Sequence, residues 1–425
     1  MILHGIEWIR SLVSSIEIAA DHRPPLLFLV HRIPYPPNKG DKIRSFHWLS
    51  ALSQRYRVFL ASFVDHDADW QYVDVVKRYC QEVCIVGLSR QRRLWRAGLT
   101  FLTDQPITTL SYRHEKIATW VSQMVELHQI EDVLVFSSSM AQYVDSERYE
   151  QLNRVIDFVD VDSDKWQQYA KFKPWPLSWV YNREAQRLFN YERHISAAFR
   201  KAFFVSREEA RLFIEKTSGE HHWIEHVNNG VGMHSIDHAD VGNPFESDGD
   251  GRNIVFVGTL DYWPNEDAVR WFVNKVYSVI VKHDASIRFY VVGSNPTPQV
   301  QALERISGVR VVANVADVKP YLLYADVAVA PLRVARGVQN KVLEALAAGA
   351  PCIASQKAME GIDIECDNLY EASDEQSWCQ LLQKILHQPR AIPNSAAYIC
   401  RGLEQYNWQT NAIRVLEIIE REGEA

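Results

Sequence analysis

The chain has 425 residues, 47% of them hydrophobic and 23% charged, with a formal net charge of −7. This composition excludes a disordered or fibrous protein, and the negative balance argues against a general nucleic-acid binder. The length exceeds what one ordinary core organises and predicts two domains of roughly 200 residues each.

In chain order, MILHGIEWIRSLVSSIEIAA comes first, within an N-terminal extension over 1–23 that reads either as a short amphipathic helix or as a segment without fixed structure. Glu7, Arg10 and Glu17 interrupt any signal-peptide core, and no stretch reaches the roughly 18 consecutive apolar residues of a membrane span, so a cytoplasmic protein is expected. The strand LLFLVH (26–31) leads through the loop RIPYPPNKGD into the helix KIRSFHWLSALSQ, whose Ile43, Phe46, Leu49 and Leu52 recur at helical spacing, and the strand RVFLASF follows. That is a β-loop-α-β unit of the kind that builds parallel sheets. Gly40, at the strand-to-helix turn with Lys39, Lys42 and Arg44 around it, reads either as a phosphate-facing wall or as a solvated basic turn.

SRQRRLWRAGLTFL (89–102) interleaves four arginines with Leu94, Trp95, Leu99, Phe101 and Leu102. It fits a helix lying on an anionic membrane surface, and equally a helix with a solvated basic face. Strands are predicted at 132–136, 154–159 and 201–205, with a long helix near 177–199. DVDSDKW (160–166) is not a calcium loop, because its sixth position is Lys165 and its twelfth Lys171, and no supporting His or Cys makes Asp160 and Asp162 a metal pair. No metal is expected.

After VNNGVG (227–232) a polar, Gly/Asp-rich linker is predicted over 233–252. A second α/β series then runs NIVFVG, IRFYVVG, VRVV, ADVAVA and PCIAS, with a last helix near 407–422. Buried apolar strands separated by helices predict two doubly wound domains in tandem, 24–232 and 253–402, with 403–425 as a C-terminal helix packing back on the first. Ligands of such folds sit beyond the carboxyl ends of the strands, here across a cleft between the sheets. The six cysteines are scattered, which favours reduced thiols over a disulfide framework or a zinc site.

The most informative stretch is RGVQNKVLEALAAGAPCIAS (336–355). It predicts a helix from about Gln339 to Ala348, closed by Gly349 and Pro351 and followed by a strand. A helix start presents free N–H groups and partial positive charge, and Lys341 adds a full charge there. Glu344 reads either as a functional carboxylate or as a surface group stabilising its own helix. Gly258 and Gly293 follow predicted strands, where glycine serves either close ligand approach or the turn itself.

KVLEALAAGAPCIAS resembles the Lys/Pro-x-Leu-Glu-Ala-x-Ala-x-Gly-x-Pro signature of the retaining glycosyltransferases of family 4, and NNGVG and VSREEA (205–210) resemble further elements of that family. The resemblance covers roughly 24–420 and implies the GT-B architecture of two Rossmann-like domains. HRIPYPPNKGDKIRSFHWL, DFVDVDSDKW, VGTLDYWPNEDA and PLRVARGVQNKVLEALA are similar to bacterial sugar transferases of exopolysaccharide loci that accompany exosortase systems.

The resemblance implies that Glu344 holds the ribose of a nucleotide-sugar donor, that amides at Gln339, Asn340 and Lys341 hold its diphosphate, and that Val315 and Asp317 border the base. Gly258, Asn265, Gly293 and Gly337 complete the donor side, and Gly40, Asp41, Lys42 and Asp160 the acceptor side. A second Glu is usual eight positions before the first, and this chain has Arg336 instead; Arg336 and Lys341, with Arg333, would supply the positive charge. The implied function is metal-independent, cofactor-free transfer of a sugar, with retention, to a lipid-linked or growing exopolysaccharide acceptor, at most peripherally on the inner face of the plasma membrane. Two alternatives share the architecture: a nucleotide-sugar 2-epimerase, active without an acceptor, and a non-catalytic scaffold that binds nucleotide sugars.

Overall fold

The computed structural model describes residues 22–88, 103–217, 219, 223–231, 241–246, 249, 251–315, 317–335, 337–388 and 400–420. The expectations for residues 1–21, for the arginine-rich stretch 89–102, for Arg336 and for much of the linker lie outside the described residues.

The first sheet is built from β1 (Pro25–Val30), β2 (Arg57–Val64), β3 (Glu82–Gly87), β4 (Asp132–Phe136), β5 (Asn153–Val159), β6 (Lys201–Phe204) and β7 (Ile224–His226), in the order β3-β2-β1-β4-β5-β6-β7. The second contains β8 (Asn253–Val257), β9 (Arg288–Gly293), β10 (Val309–Ala313), β11 (Val327–Ala330), β12 (Cys352–Ser355) and β14 (Leu369–Ala372), in the order β10-β9-β8-β11-β12-β14. Strand β1 runs parallel to β2 and β4, and β8 runs parallel to β9 and β11. Both sheets therefore follow the doubly wound order, whose strand sequence reverses beside β1 and beside β8. Contacts group the chain into two compact units, residues 1–156 with 186–200 and residues 157–185 with 201–425.

Apolar strands form because both faces of a parallel sheet are covered: all five residues of β8 are buried, as are Leu26 to Val30 of β1. The helices follow the predicted spacing with one difference. In α1 (Gly40–Arg55) Leu49 and Leu52 are buried as expected and Trp48 is buried beside them, but Ile43 and Phe46 are half-buried while Lys42, Arg44 and Ser45 are buried. The cause is a partner outside the helix, since the Lys42 ammonium lies 2.6 Å from the Asp69 carboxylate. Hydrophobic spacing cannot register such a pair.

Later helices, in chain order, are α2 (Glu115–His128), α3 (Asp162–Ala170), α4 (Leu177–Ala198), α5 (Arg207–Thr217), α6 (Trp263–Phe272), α7 (Asn340–Ala347), α8 (Glu375–Leu386) and α9 (Trp408–Glu420). Helix α7 stops where Gly349, at φ +76°, adopts a left-handed conformation that most residues avoid. Its Val342, Leu343, Ala345 and Leu346 pack into the core containing Val255, Val257 and Cys352, each burial contributing about 1–3 kcal/mol. That register leaves Lys341 and Glu344 on the remaining face.

The VNNGVG turn is fastened to the C-terminal segment. Val231 N–H donates to the Tyr406 carbonyl at 2.7 Å, and Asn411 Nδ2 donates to the Asn228 carbonyl at 2.9 Å. Gly230 is required here, because a Cβ would lie 2.4 Å from the Trp408 ring. From the linker, Phe245 packs its ring 4.6 Å from Tyr290.

One expectation is corrected. Cys366 and Cys400 form a disulfide across the antiparallel ribbon of β13 (Glu365–Cys366) and β15 (Cys400–Arg401), with Cα atoms 4.1 Å apart. Scattered spacing hid this pair because strand register, not sequence proximity, sets the two residues opposite each other. Cys80, Cys84, Cys352 and Cys379 are free. Among the described residues, no helix is long and apolar enough to cross a membrane and no group of three His, Cys, Asp or Glu side chains could hold a metal ion.

Candidate functional site

In the second unit the loops after β8 and β11 leave the sheet at its switch point, where doubly wound folds bind ligands. The first loop begins with Gly258 and the second ends at the start of α7. Lys341 joins them: its ammonium lies 2.6 Å from Asn265 Oδ1 and 4.4 Å from the centre of the Phe256 ring. Asn265 in turn donates from Nδ2 to the Thr259 carbonyl at 2.8 Å. A Cβ on Gly258 would come within 2.9 Å of Asn265 Nδ2 and 3.2 Å of the Lys341 ammonium. Gly258 therefore leaves room for the lysine.

Gly293 has a packing explanation. A Cβ there would lie 1.7 Å from the Gly258 carbonyl oxygen, so the two strand ends cross with no side chain between them.

Lys341 and Glu344, both half-buried, stand one helical turn apart on the face of α7 not formed by Val342, Leu343, Ala345 and Leu346. Burial pushes the Glu344 carboxyl up to about 7, against the opposing pull of Lys341 and Lys319, and pushes the Lys341 ammonium down to about 7, against Glu344. No described residue hydrogen-bonds the Glu344 carboxylate. Beside it, Asn340 Oδ1 at the helix start is buried without a hydrogen-bond partner. The site thus holds a carboxylate and an amide oxygen able to accept hydrogen bonds, next to a cation and the positive end of helix α7. Such a set suits a polar ligand with hydroxyls and negative charge.

The remaining donor-side residues surround this start. Gln339 Nε2 donates to the Gly337 carbonyl at 2.9 Å, and Gly337 sits at φ +66°. Asp317 is exposed and accepts from the Lys319 N–H at 3.0 Å, while Val315 packs at the edge of the α7 core. Arg333 is engaged with Asp267, its Nε 2.9 Å from Oδ2.

Asp160 belongs to the same compact unit, and a Cβ on Gly337 would lie 3.2 Å from Asp160 Oδ1. Its turn is held firmly. Val159, a β-branched residue, is at φ +68°, and the Val161 N–H donates to buried Glu209 Oε2 at 2.7 Å. Ser206 of the VSREEA element accepts from the Glu209 N–H at 3.2 Å, so that motif caps α5 and fixes the Asp160 turn. Lys165 pairs with Asp160 at 2.5 Å and with Asp162 at 3.2 Å. Burial alone would lower the Lys165 ammonium, but the two carboxylates outweigh it and hold it above its ordinary value. Tyr262 lies in this environment, its phenol raised by burial and by Tyr169.

In the first unit, Gly40, Asp41 and Lys42 open α1 beyond β1. Space around Gly40 is open, with nothing within 4 Å of where a Cβ would be. Asp41 receives Arg32 at 2.8 Å and His31 at 3.3 Å, and Arg32 also reaches Asp65 at 2.9 Å. Burial would raise the Asp41 carboxyl, yet His31 and Arg32 hold it well below the usual range. Lys42, paired with Asp69, is 2% exposed, and Arg44, fully buried, lies 4.9 Å above the Trp48 ring, so neither belongs to a solvated turn.

Sequence reading passed over His31, Lys165 and Tyr262. His31 carries one usable signal, as the residue directly after the first strand; its Nδ1 is buried without a partner. Within DVDSDKW, Lys165 is legible only as the residue that rules out a calcium loop, although its partners Asp160 and Asp162 lie three to five residues away; Tyr262 carries no signal, since its partner Tyr169 is far along the chain.

Residues 251–388 match the family model described as "Glycosyl transferases group 1". No curated protein matches the sequence. Among solved structures, Anabaena HepE in complex with UDP and glucose is similar at TM-score 0.62 and 12% identity, over 93% of this chain and 99% of that one. A glycosyltransferase from Rickettsia africae is similar at TM-score 0.62 and 12% identity, over 94% and 100%. The UDP-forming α,α-trehalose-phosphate synthase from Burkholderia vietnamiensis follows at 0.59 and 14%, over 94% and 97%. At such identities the likeness establishes the fold. The chain has the GT-B fold and carries, over residues 251–388, a group 1 glycosyltransferase domain.

Proposed function

We propose that this protein transfers a sugar, with retention, from a nucleoside diphosphate donor to a lipid-linked or growing exopolysaccharide acceptor, and that it belongs with the family 4 enzymes. The observation that carries the reading is the Lys341 and Glu344 pair at the start of α7, half-buried and without a saturating set of partners, inside the region that matches the glycosyltransferase model. Glu344 accepts hydrogen bonds from the ribose hydroxyls, and the α7 amides with Lys341 take the diphosphate. As the sugar carbon–oxygen bond to phosphate breaks, the electron pair leaves with the diphosphate, and the preorganised cation and helix start stabilise the charge that develops. The acceptor oxygen bonds to the same carbon, and its proton passes to the departing phosphate.

The donor is a co-substrate; no cofactor or metal enters this scheme. Residues 253–402 form the donor domain and 24–232 the acceptor domain, where Gly40, Asp41 and Lys42, with Asp160, orient the acceptor. The site of action is the cytoplasmic side of the membrane. UDP is the first nucleotide to try, because the HepE complex contains it and the trehalose-phosphate synthase is named UDP-forming.

Thermal unfolding with UDP, GDP, ADP and their sugar conjugates tests this. One nucleotide is expected to stabilise the wild type, by about 2.7 kcal/mol at a hundredfold excess over Kd, and to have no such effect on Glu344→Ala. If none of them moves the midpoint of the folded wild type, the donor reading is wrong.

A further inference from the structure

Ten large hydrophobic side chains are exposed among the described residues, and six of them, Phe172, Trp175, Leu177, Trp179, Tyr262 and Trp263, gather in two short stretches. The stretches touch, with the Phe172 and Trp263 rings 6.2 Å apart. Every residue from Lys171 to Leu177 is exposed, Trp175 at 82% and Phe172 at 67%. Scattered apolar side chains on a surface need no explanation, but a contiguous aromatic patch marks a site of contact. Of these six, only Tyr262 lies in the Asp160 environment described above; the site as described uses none of the other five.

Charge identifies the occupant. No acidic residue lies between Asp164 and Glu184, and Lys171 and Lys173 flank Phe172, in a chain whose net charge is −7; exposed Asp261 stands at the other end of the patch, beside Tyr262. Aromatic rings are common at protein–protein interfaces too, so the discriminating residues are the lysines, which such interfaces avoid. Tryptophan with flanking lysines is instead the composition that settles at a membrane interface, the rings at headgroup depth and the ammonium groups among anionic phosphates. Pro174 and Pro176 keep this stretch out of a helix, so its side chains form a projecting tip before α4 begins at Leu177.

We infer that residues 171–179 are an interfacial anchor that seats the protein on an anionic lipid bilayer. This surface is separate from the arginine-rich stretch 89–102 and does not depend on the identity of the donor.

The test is co-sedimentation of the full chain with phosphatidylcholine vesicles, with and without phosphatidylglycerol, over a series of salt concentrations. The wild type is expected to partition onto the anionic vesicles and to come off as salt rises. Phe172→Ser with Trp175→Ser should lower the partition coefficient by about tenfold or more, since each ring loses roughly its burial energy. Lys171→Gln with Lys173→Gln should lower it about tenfold on anionic vesicles only and flatten the salt dependence. These side chains are exposed, so far-UV circular dichroism and the melting midpoint should match the wild type. Absence of wild-type binding at low salt overturns the anchor. So does equal binding by both variants, which would place membrane contact elsewhere. Self-association that Phe172→Ser/Trp175→Ser abolishes, without vesicle binding, would assign the patch to a second copy and overturn it as well.

Discussion

The two sheets share one strand order, yet the charges at their corresponding ends are handled in opposite ways. Beyond β1, Asp41, Arg32 and Asp65 are joined in one network and Lys42 is paired with Asp69. Beyond β8 and β11, Lys341 has an amide and an aromatic face rather than a carboxylate within hydrogen-bond reach, and Glu344 has no hydrogen-bond partner among the described residues. Topology places a switch point in both, but partners decide the electrostatics. A ligand at the second site can supply what the protein leaves unsatisfied, whereas one at the first must fit around charges already paired, with the buried His31 Nδ1 left open beside them.

The largest expected effect comes from breaking the first arrangement. Asp69→Asn leaves the Lys42 ammonium, 2% exposed, without its counter-charge and should cost about 3 kcal/mol in urea unfolding. A loss under about 1 kcal/mol would mean that Lys42 reaches water and that the two sites differ less than described.

The next effect is on pH. The folded Glu344 carboxyl sits at about 7 against an ordinary 4.5, so the folded protein holds a proton that the unfolded chain releases in that window. Its stabilising contribution is full below pH 4.5 and is lost as pH rises through 7. Glu344→Gln cannot ionise, so the wild type should lose on the order of 2 kcal/mol relative to this variant between those limits. Parallel stability curves would show that Glu344 ionises normally.

The smallest effect on the apo protein is expected from Lys341→Met. Burial disfavours the charged ammonium, so replacing it with an apolar side chain of similar length should change stability by less than about 1 kcal/mol. The same substitution should remove the midpoint shift produced by the nucleotide that stabilises the wild type. A variant that retains the shift would take Lys341 out of the ligand site.

The contrast also marks how far the sequence is legible. Lys341 and Glu344 are legible as one charged face because α7 is an amphipathic segment whose apolar positions, stop signal and charged face lie within a dozen residues. Gly258 is legible at the strand end for a similar local reason, a strand followed by a helix, whereas Asn265 lies inside that helix, α6. The basic turn at 38–44 was read as a phosphate wall or a solvated surface, and the inward course of Lys42 and Arg44 fitted neither, because Asp69 and the core decide it. Asp160 was singled out, but its position beside Gly337 joins segments far apart in the chain.

By itself the sequence determined most of the central strands and several helices, their doubly wound alternation, the end of α7 at Gly349 and the placing of a lysine and a glutamate one helical turn apart. Those features depend on periodicity, capping and backbone preference, which act over a few residues. Only the tertiary structure decided which charges are buried and partnered, that Cys366 lies opposite Cys400, that Gly293 must pass the Gly258 carbonyl without a side chain, and that the aromatic tip at 171–179 remains uncovered. Burial and pairing are properties of space, and residues distant in sequence set them.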